Sequence, residues 1–273
     1  HSDIMGVRDT GWAMMFAETA QEAYDNTIIA FKVAEDPNVL LPVLTTLDGF
    51  VTSHAMDNCV MEEDQVVKDF VGDYKPLYPL LDTENPVGHG MFATLGNGYM
   101  KYKLTERHAL DNALEAFEKH GKEWEEITGR SFEVVDSWGA EDADYLIVVL
   151  GSCAGNAHHQ ARLLRAEGKK VGVVRPRIFR PFPAKQIVEA CKNAKAVAVI
   201  DRSDSFGSPH APLALEVRAA FQDAGLQIPV SDYLAGMGGA DITLDQMGQV
   251  YAELEQRAQG TYDGSIKYLG IEE

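Results

Sequence analysis

Arg8 lies in the run HSDIMGVRDTGWAMMFAE, between Met5-Gly6-Val7 and Asp9-Thr10-Gly11. The run otherwise reads as a buried helix beginning near Ile4, where a guanidinium one turn in is costly unless paired. A guanidinium holds a carboxylate through two parallel hydrogen bonds. The residue types therefore allow either a carboxylate-bearing ligand or a structural ion pair with Asp3 or Asp9. At the start of a helix, backbone N–H groups and the dipole would also favour an anion.

Other stretches carry weaker chemistry. VVLGSCAG leaves an apolar run through Gly151 and Gly155 and resembles half of a phosphate cradle. A dinucleotide fingerprint needs a third glycine and an acid about twenty residues on. The next apolar run ends in Arg175 instead, so a packing turn is favoured and an NADP-type site is the distant alternative. His158 and His159 are adjacent, not at the i, i+3 or i, i+4 spacing of helical metal ligands, and read as a surface pair. Arg175, Arg177 and Arg180 in RPRIFRPFP suggest strand-end pairing with acids from elsewhere more than an anion site. DRSDSFGSPHAPL is a polar loop at the end of an apolar strand, where parallel sheets place ligands or interfaces. The sequence contains neither a nucleophile elbow nor a P-loop. Any difficult chemistry is expected to be carried by a cofactor or by partner subunits.

The elements that must position these residues fall into two regions, as 273 residues suggest. In FAETAQEAYDNTIIAFKVAED, apolar or small residues at 16, 20, 23, 24, 27, 28, 31 and 34 make one helix stripe that ends at Pro37 and Asn38. NVLLPVLTTLDGF reads as a buried strand with its functional end near Asp48. Residues 51–104 are rich in loops. ERHALDNALEAFEKHGKEWEEITG predicts a helix with a charged outer face, stopping at Gly129 and connecting two domains. Beyond it, strands (ADYLIVVLGS, KVGVVRPRIF, KAVAVIDR and, last, LQIPVSDYL) alternate with helices (GNAHHQARLLRAEGKK, PAKQIVEACKNA, APLALEVRAAFQDAG and TLDQMGQVYAELEQRA). That order predicts βαβ units and a parallel sheet.

Composition bounds the partners. The net charge of −18 disfavours nucleic acid and anionic membrane. No apolar run approaches the ~18 residues of a span, and no leader is visible. Three scattered cysteines, Cys59, Cys153 and Cys191, with no CxxC, argue for a reducing, cytoplasmic setting without disulfides. They are poor ligands for an iron–sulfur cluster or zinc. A chain beginning at His1 is expected to be a processed product or a fragment cut through a domain.

HSDIMGVRDTGWAMMFAETAQEAYD closely resembles the alpha-subunit region of pyruvate:ferredoxin oxidoreductases, in the thiamine-diphosphate-dependent 2-oxoacid:ferredoxin oxidoreductase family. The similarity continues in order through VLLPVLTTLDGFVTSHAMDNCV, LYPLLDTENPVGHG, DADYLIVVLGSCAG, GKKVGVVRPRIFRPFP, AVAVIDRSDSFGSP and LAGMGGADITLDQM, essentially the whole chain. The resemblance implies an α/β fold. Residues 1–115 would be the carboxy-terminal part of a pyrimidine-type thiamine-fold domain, 116–129 a connecting helix, 130–260 a mainly architectural transketolase C-terminal-like domain, and 261–273 a tail. The family's amino-terminal segment, with its threonine and cofactor-activating glutamate, is absent from this chain.

The family reaction converts pyruvate, coenzyme A (CoA) and oxidised ferredoxin to acetyl-CoA, carbon dioxide and reduced ferredoxin, or the reverse. The resemblance implies thiamine diphosphate and Mg2+ shared with or held by a partner chain, since no GDG…N motif occurs here. It also implies 4Fe-4S clusters on other subunits, CoA as a substrate, and beta, gamma and cluster-bearing delta subunits as partners. Arg8 matches the family's substrate-carboxylate arginine, while Asp48, Ser53 and His54 match its DGF..SH loop near the site. RDTGW favours the pyruvate and branched-chain branches over 2-oxoglutarate, with oxalate oxidoreductase a close relative. A non-catalytic α/β assembly subunit is the alternative from another class.

Overall fold

The computed structural model describes residues 1–90, 92–93, 96–261 and 265–271. One helical turn, α1 (Ser2–Met5), precedes strand β1 (Ala13–Phe16). The expected helix through this stretch is therefore wrong. All four β1 side chains are buried, Met14 and Phe16 in one core and Ala13 and Met15 in another. Alternate side chains of a strand point to opposite faces. A strand covered on both faces is a continuous apolar run that periodicity cannot separate from a buried helix. Helix α2 (Ala20–Ala34) starts where the Thr19 hydroxyl accepts from the Glu22 amide at 3.2 Å.

Strand β2 (Val43–Thr46) pairs parallel to β1 and is half-buried rather than fully buried. It runs into the short helix α3 (Val51–His54), then α4 (Asp64–Val71). The long helix α5 (Gly98–Thr128) begins at Gly98 rather than Glu106 and ends at Gly129, whose φ of +71° suits a glycine stop. Its segment from 116 is not merely a spacer. Ala116, Phe117 and Trp124 pack with Ile29, Val33 and Phe70, and the Trp124 indole donates to Asp25 Oδ1 at 2.8 Å.

The remainder alternates as expected, with three additions. In chain order it comprises β3 (Val135–Trp138), β4 (Tyr145–Val149), α6 (Cys153–Ala166), β5 (Val171–Pro176), β6 (Ile178–Arg180), α7 (Ala184–Cys191), β7 (Ala196–Asp201), α8 (Pro212–Asp223), β8 (Val230–Leu234), α9 (Leu244–Arg257) and β9 (Ile266–Tyr268). One sheet has the order β3-β5-β4-β7-β8-β9, parallel except for the antiparallel edge β3. Helices α6 and α9 cover one face, and α7 and α8 the other. KVGVVRPRIF is two strands rather than one. After Pro176, β6 leaves this sheet and pairs antiparallel with β1, giving a second sheet of order β2-β1-β6. The strand after LQIPVSDYL, β9, lies in the segment expected as a tail and pairs with β8. Residues 262–264, 272 and 273 of that tail are outside the described residues. Among the described residues, no helix is long and apolar enough to cross a membrane.

Candidate functional site

The chain turns back on itself between β4 and β7: β5 lies on one side of β4, and β8 on the far side of β7. Open α/β sheets bind ligands outside the carboxyl ends of strands at such a point. Gly151 and Ser152 follow β4 there, Arg202 follows β7, and the Gly236–Gly239 turn follows β8.

The 48–54 segment lies across these ends. Asp48 is 2% exposed, and its Oδ2 accepts from the Ser152 amide at 2.6 Å. Arg202 Nη1 stands 3.1 Å from the same oxygen, and the His1 imidazole contacts Oδ1. Gly151 has a φ of +66°, and a Cβ there would come within 2.8 Å of Asp48 Oδ2. The GSCAG turn is thus a packing turn whose amide serves an internal carboxylate. Beside it, burial pushes the Cys153 thiol up to about 12, so it stays neutral.

Past Asp48 the chain makes a tight turn. The Thr52 and Ser53 amides donate to the Asp48 carbonyl, both at 3.2 Å. The Ser53 hydroxyl accepts from the Phe50 amide at 3.0 Å and stands 2.7 Å from His54 Nδ1. The Phe50 ring is 68% exposed, stacks on His54 with centroids 4.9 Å apart, and borders Gly239, where a Cβ would meet Phe50 Cδ2 at 3.2 Å. Phe50 takes a φ of +65°. That conformation costs a non-glycine residue on the order of 1–3 kcal/mol and persists only where surroundings over-determine it. Asp48 is thus an internal anchor, while Ser53 and His54 sit at the surface.

Arg8 is placed differently from the expectation. It lies beyond the end of α1, so helix amides do not add to its anion site. Its side chain is 26% exposed, which lessens the burial cost. Nη1 donates to the Met5 carbonyl at 2.9 Å, and Nε stands 3.8 Å from Asp9. Neither contact uses the two-pronged geometry. Arg180 fixes this turn from below, donating through Nε to the Arg8 carbonyl at 3.0 Å and through Nη2 to Glu216 at 2.6 Å. Among the described residues, no hydrogen bond or ion pair joins Arg8 to Asp48, Ser53 or His54.

The other arginines pair with acids, as their positions suggested. Arg175 grips both oxygens of Glu22 at 2.9 Å and reaches Asp136 and Glu18 at 3.0 Å, and Arg177 meets Glu22 at 2.7 Å. Burial raises the pKa of Glu18. Glu22 is also buried, but Arg177 and Arg175 more than reverse that effect and hold its carboxyl below the usual range. The Arg175 guanidinium is buried and faces three carboxylates, an environment unfavourable to a nucleotide phosphate.

Two further acids are buried behind the site: Asp201, which opens the DRSDSFGSPHAPL loop singled out at a strand end, and Asp232, which carried no such signal. Asp201 Oδ2 accepts from the Leu213 and Ala214 amides at 3.0 and 3.2 Å, and Asp232 Oδ2 from Ala211 at 2.9 Å. Among the described residues, the Oδ1 atoms of both are buried without a hydrogen-bond partner. Burial, then the Asp232 charge, raises the Asp201 pKa well above the carboxylate range. Arg202 lies in the same singled-out loop, but its role was not legible, because an arginine following a strand carries no local mark of a partner 154 residues earlier.

The one turn resembling a diphosphate cradle is filled by Asp48. Among the described residues, no group of three or more His, Cys, Asp or Glu stands together to hold a metal.

Comparison with known proteins places the chain. Residues 1–123 match the family described as pyruvate flavodoxin/ferredoxin oxidoreductase, thiamine diphosphate-binding, and residues 143–247 match pyruvate:ferredoxin oxidoreductase core domain II. The chain is 40% identical to pyruvate synthase subunit PorA of Thermotoga maritima, over 100% of this chain and 69% of that protein. It is 34% identical to ketoisovalerate oxidoreductase subunit VorA of Pyrococcus horikoshii, over 99% of this chain and 68% of that one. It thus spans about two thirds of the length of these curated relatives. In fold it is similar to the 2-oxoglutarate:ferredoxin oxidoreductase from Magnetococcus marinus. The TM-score is 0.60 at 16% identity, covering 93% of this chain and 45% of that one.

Proposed function

The chain belongs to the pyruvate flavodoxin/ferredoxin oxidoreductase family, and from that we propose that it is one subunit of a cytoplasmic, thiamine-diphosphate-dependent 2-oxoacid:ferredoxin oxidoreductase acting on pyruvate. The assembled enzyme would convert pyruvate, CoA and oxidised ferredoxin to acetyl-CoA, carbon dioxide and reduced ferredoxin, and the reverse. In this reading residues 1–115 supply the carboxy-terminal part of a pyrimidine-type thiamine fold and residues 130–260 a transketolase C-terminal-like unit. The cofactor, with Mg2+, is held with a beta partner chain, and 4Fe-4S clusters on other subunits, delta among them, carry single electrons to ferredoxin. A gamma subunit completes the complex.

The observation that carries the reading is the match to a pyruvate synthase subunit at 40% identity across the entire chain. The geometry supports a role for this chain's own residues. Arg8 offers a partly exposed guanidinium, on a turn fixed by Arg180, without a two-pronged carboxylate of its own. Such a fork would bind and orient the carboxylate of a 2-oxoacid. Asp48, Ser53 and His54 would border the site, with Asp48 holding the turn.

The test is pyruvate- and CoA-dependent ferredoxin reduction by the complex assembled with and without this chain. Activity that requires the chain is expected. A complete complex inert towards pyruvate would refute the proposal. The match to a ketoisovalerate oxidoreductase subunit favours a branched-chain 2-oxoacid as the second reading, decided by the ratio of kcat/KM for the two acids.

A further inference from the structure

Arg202 is nearly buried, and its guanidinium is divided between two tasks. Nη1 meets Asp48 Oδ2 at 3.1 Å, while Nε and Nη2 donate to the Gly236 carbonyl at 3.3 and 3.1 Å. A Cβ at Gly236 would come within 3.1 Å of Arg202 Nε, so the side chain is closely confined. It also follows Asp201, whose carboxylate takes the first amides of α8. The guanidinium therefore stands on a rigid strand end. The turn beyond Asp48 holds a strained Phe50 whose ring is mostly in solvent, so burial of that ring does not hold the turn. Beyond its own hydrogen bonds and the Phe50–His54 stack, what ties it to the larger sheet is Asp48 at its inner end.

We propose that Arg202 is a positioning residue: by gripping Asp48 it fixes the 48–54 turn, and with it the Ser53–His54 pair, for the reaction. This rests on the proposed function for its catalytic consequence, and it gives the carboxy-terminal unit a part in setting the site beyond support. A planar fork divided between a carboxylate and a carbonyl is not reproduced by an ammonium. Arg202→Lys is therefore intermediate between wild type and Arg202→Ala.

The experiment compares wild type, Arg202→Lys and Arg202→Ala in the assembled complex, by amide hydrogen exchange and by steady-state kinetics with pyruvate. In Arg202→Ala, exchange at the 52–54 amides is expected to quicken by about tenfold or more while β4 and β7 keep their protection within about twofold. kcat is expected to fall by about tenfold or more with KM changed less than about threefold, and Arg202→Lys to recover part of both. Arg202→Lys, which keeps the charge but not the fork, decides the matter should Arg202→Ala fail to assemble. Unchanged exchange at 52–54 in Arg202→Ala, or in Arg202→Lys where Arg202→Ala does not assemble, overturns the proposal, as does unchanged kcat. A wild-type complex without pyruvate turnover refutes the proposed function, while the exchange comparison still decides whether Arg202 holds the turn.

Discussion

The carboxylate of Asp48 accepts a hydrogen bond from the backbone amide of Ser152 at 2.6 Å, across 104 residues of sequence. An internal side chain thus occupies the end of β4, the place where sheets of this strand order receive the anion of a ligand. The same carboxylate meets Arg202, so one acid ties the segment after β2 to the ends of two strands in the larger sheet.

Removing that acid strands a buried guanidinium. Breaking a buried pair from one side costs about 3–5 kcal/mol, and Asp48→Ala should lose stability in that range in urea denaturation. Asp48→Asn keeps an acceptor towards Ser152 and should lose less. A loss below about 1 kcal/mol for Asp48→Ala would show that the lock contributes little.

Gly151 is the second half of the lock. Alanine there meets a left-handed φ, worth roughly 1–2 kcal/mol, and places a Cβ 2.8 Å from Asp48 Oδ2. Gly151→Ala is expected to destabilise by more than the backbone cost alone. In the Asp48→Ala background the excess should vanish, since the clashing oxygen is gone. A double-mutant cycle of thermal melts measures this.

Arg8 should matter for substrate and not for folding. Its contacts are local and its side chain partly exposed, so Arg8→Ala is expected to change stability by less than about 0.5 kcal/mol. Loss of a two-pronged contact to a 2-oxoacid carboxylate should lower kcat/KM for pyruvate by about 30- to 4,000-fold, with Arg8→Lys in between. A kcat/KM within about threefold of wild type, in an assembled complex, would make the residue structural.

Asp201 gives a pH signature. Its folded pKa is raised by burial and then by Asp232. The folded state therefore holds this proton more tightly than the unfolded one. The stability so contributed is fully present below the unfolded pKa and is lost as pH rises through the folded value. Asp201→Asn removes the loss, because an amide stays neutral. Melting temperatures of variant and wild type should lie close at about pH 4 and diverge in favour of the variant towards about pH 8. A gap that closes or inverts as pH rises would contradict the buried, protonated assignment.

The alternation of β4, α6, β5, α7, β7, α8, β8 and α9 was legible in residues 145–257, and so was their arrangement as a largely parallel sheet. Each signal there is local: apolar runs of strand length, a 3.6-residue stripe, a glycine or proline at a boundary, and Thr243 at the head of α9. Arg175 near the end of β5 and Arg177 just beyond it were legible as charges needing acids. Their partners on α2 were not, because nothing in a linear pattern says which helix comes to lie beside a strand end.

The errors have one cause. Met14 and Met15 face different cores, and a strand covered on both sides loses the alternation that would announce it. With β1 misread as helix, Arg8 was placed at a helix start when it stands on a turn beyond one. β3, β6 and β9 are three or four residues long, too short to register without the neighbours they pair with. Asp48 was legible as the functional end of its strand, and the resemblance added its match to a loop near the site, but its anchors lie 104 and 154 residues away, after β4 and β7. Local chemistry announces which residues are able to bind a carboxylate or cap a helix. Which of them meet is settled by chain reversal and by the packing of two sheets through β1, and those contacts exist only once distant segments share a core.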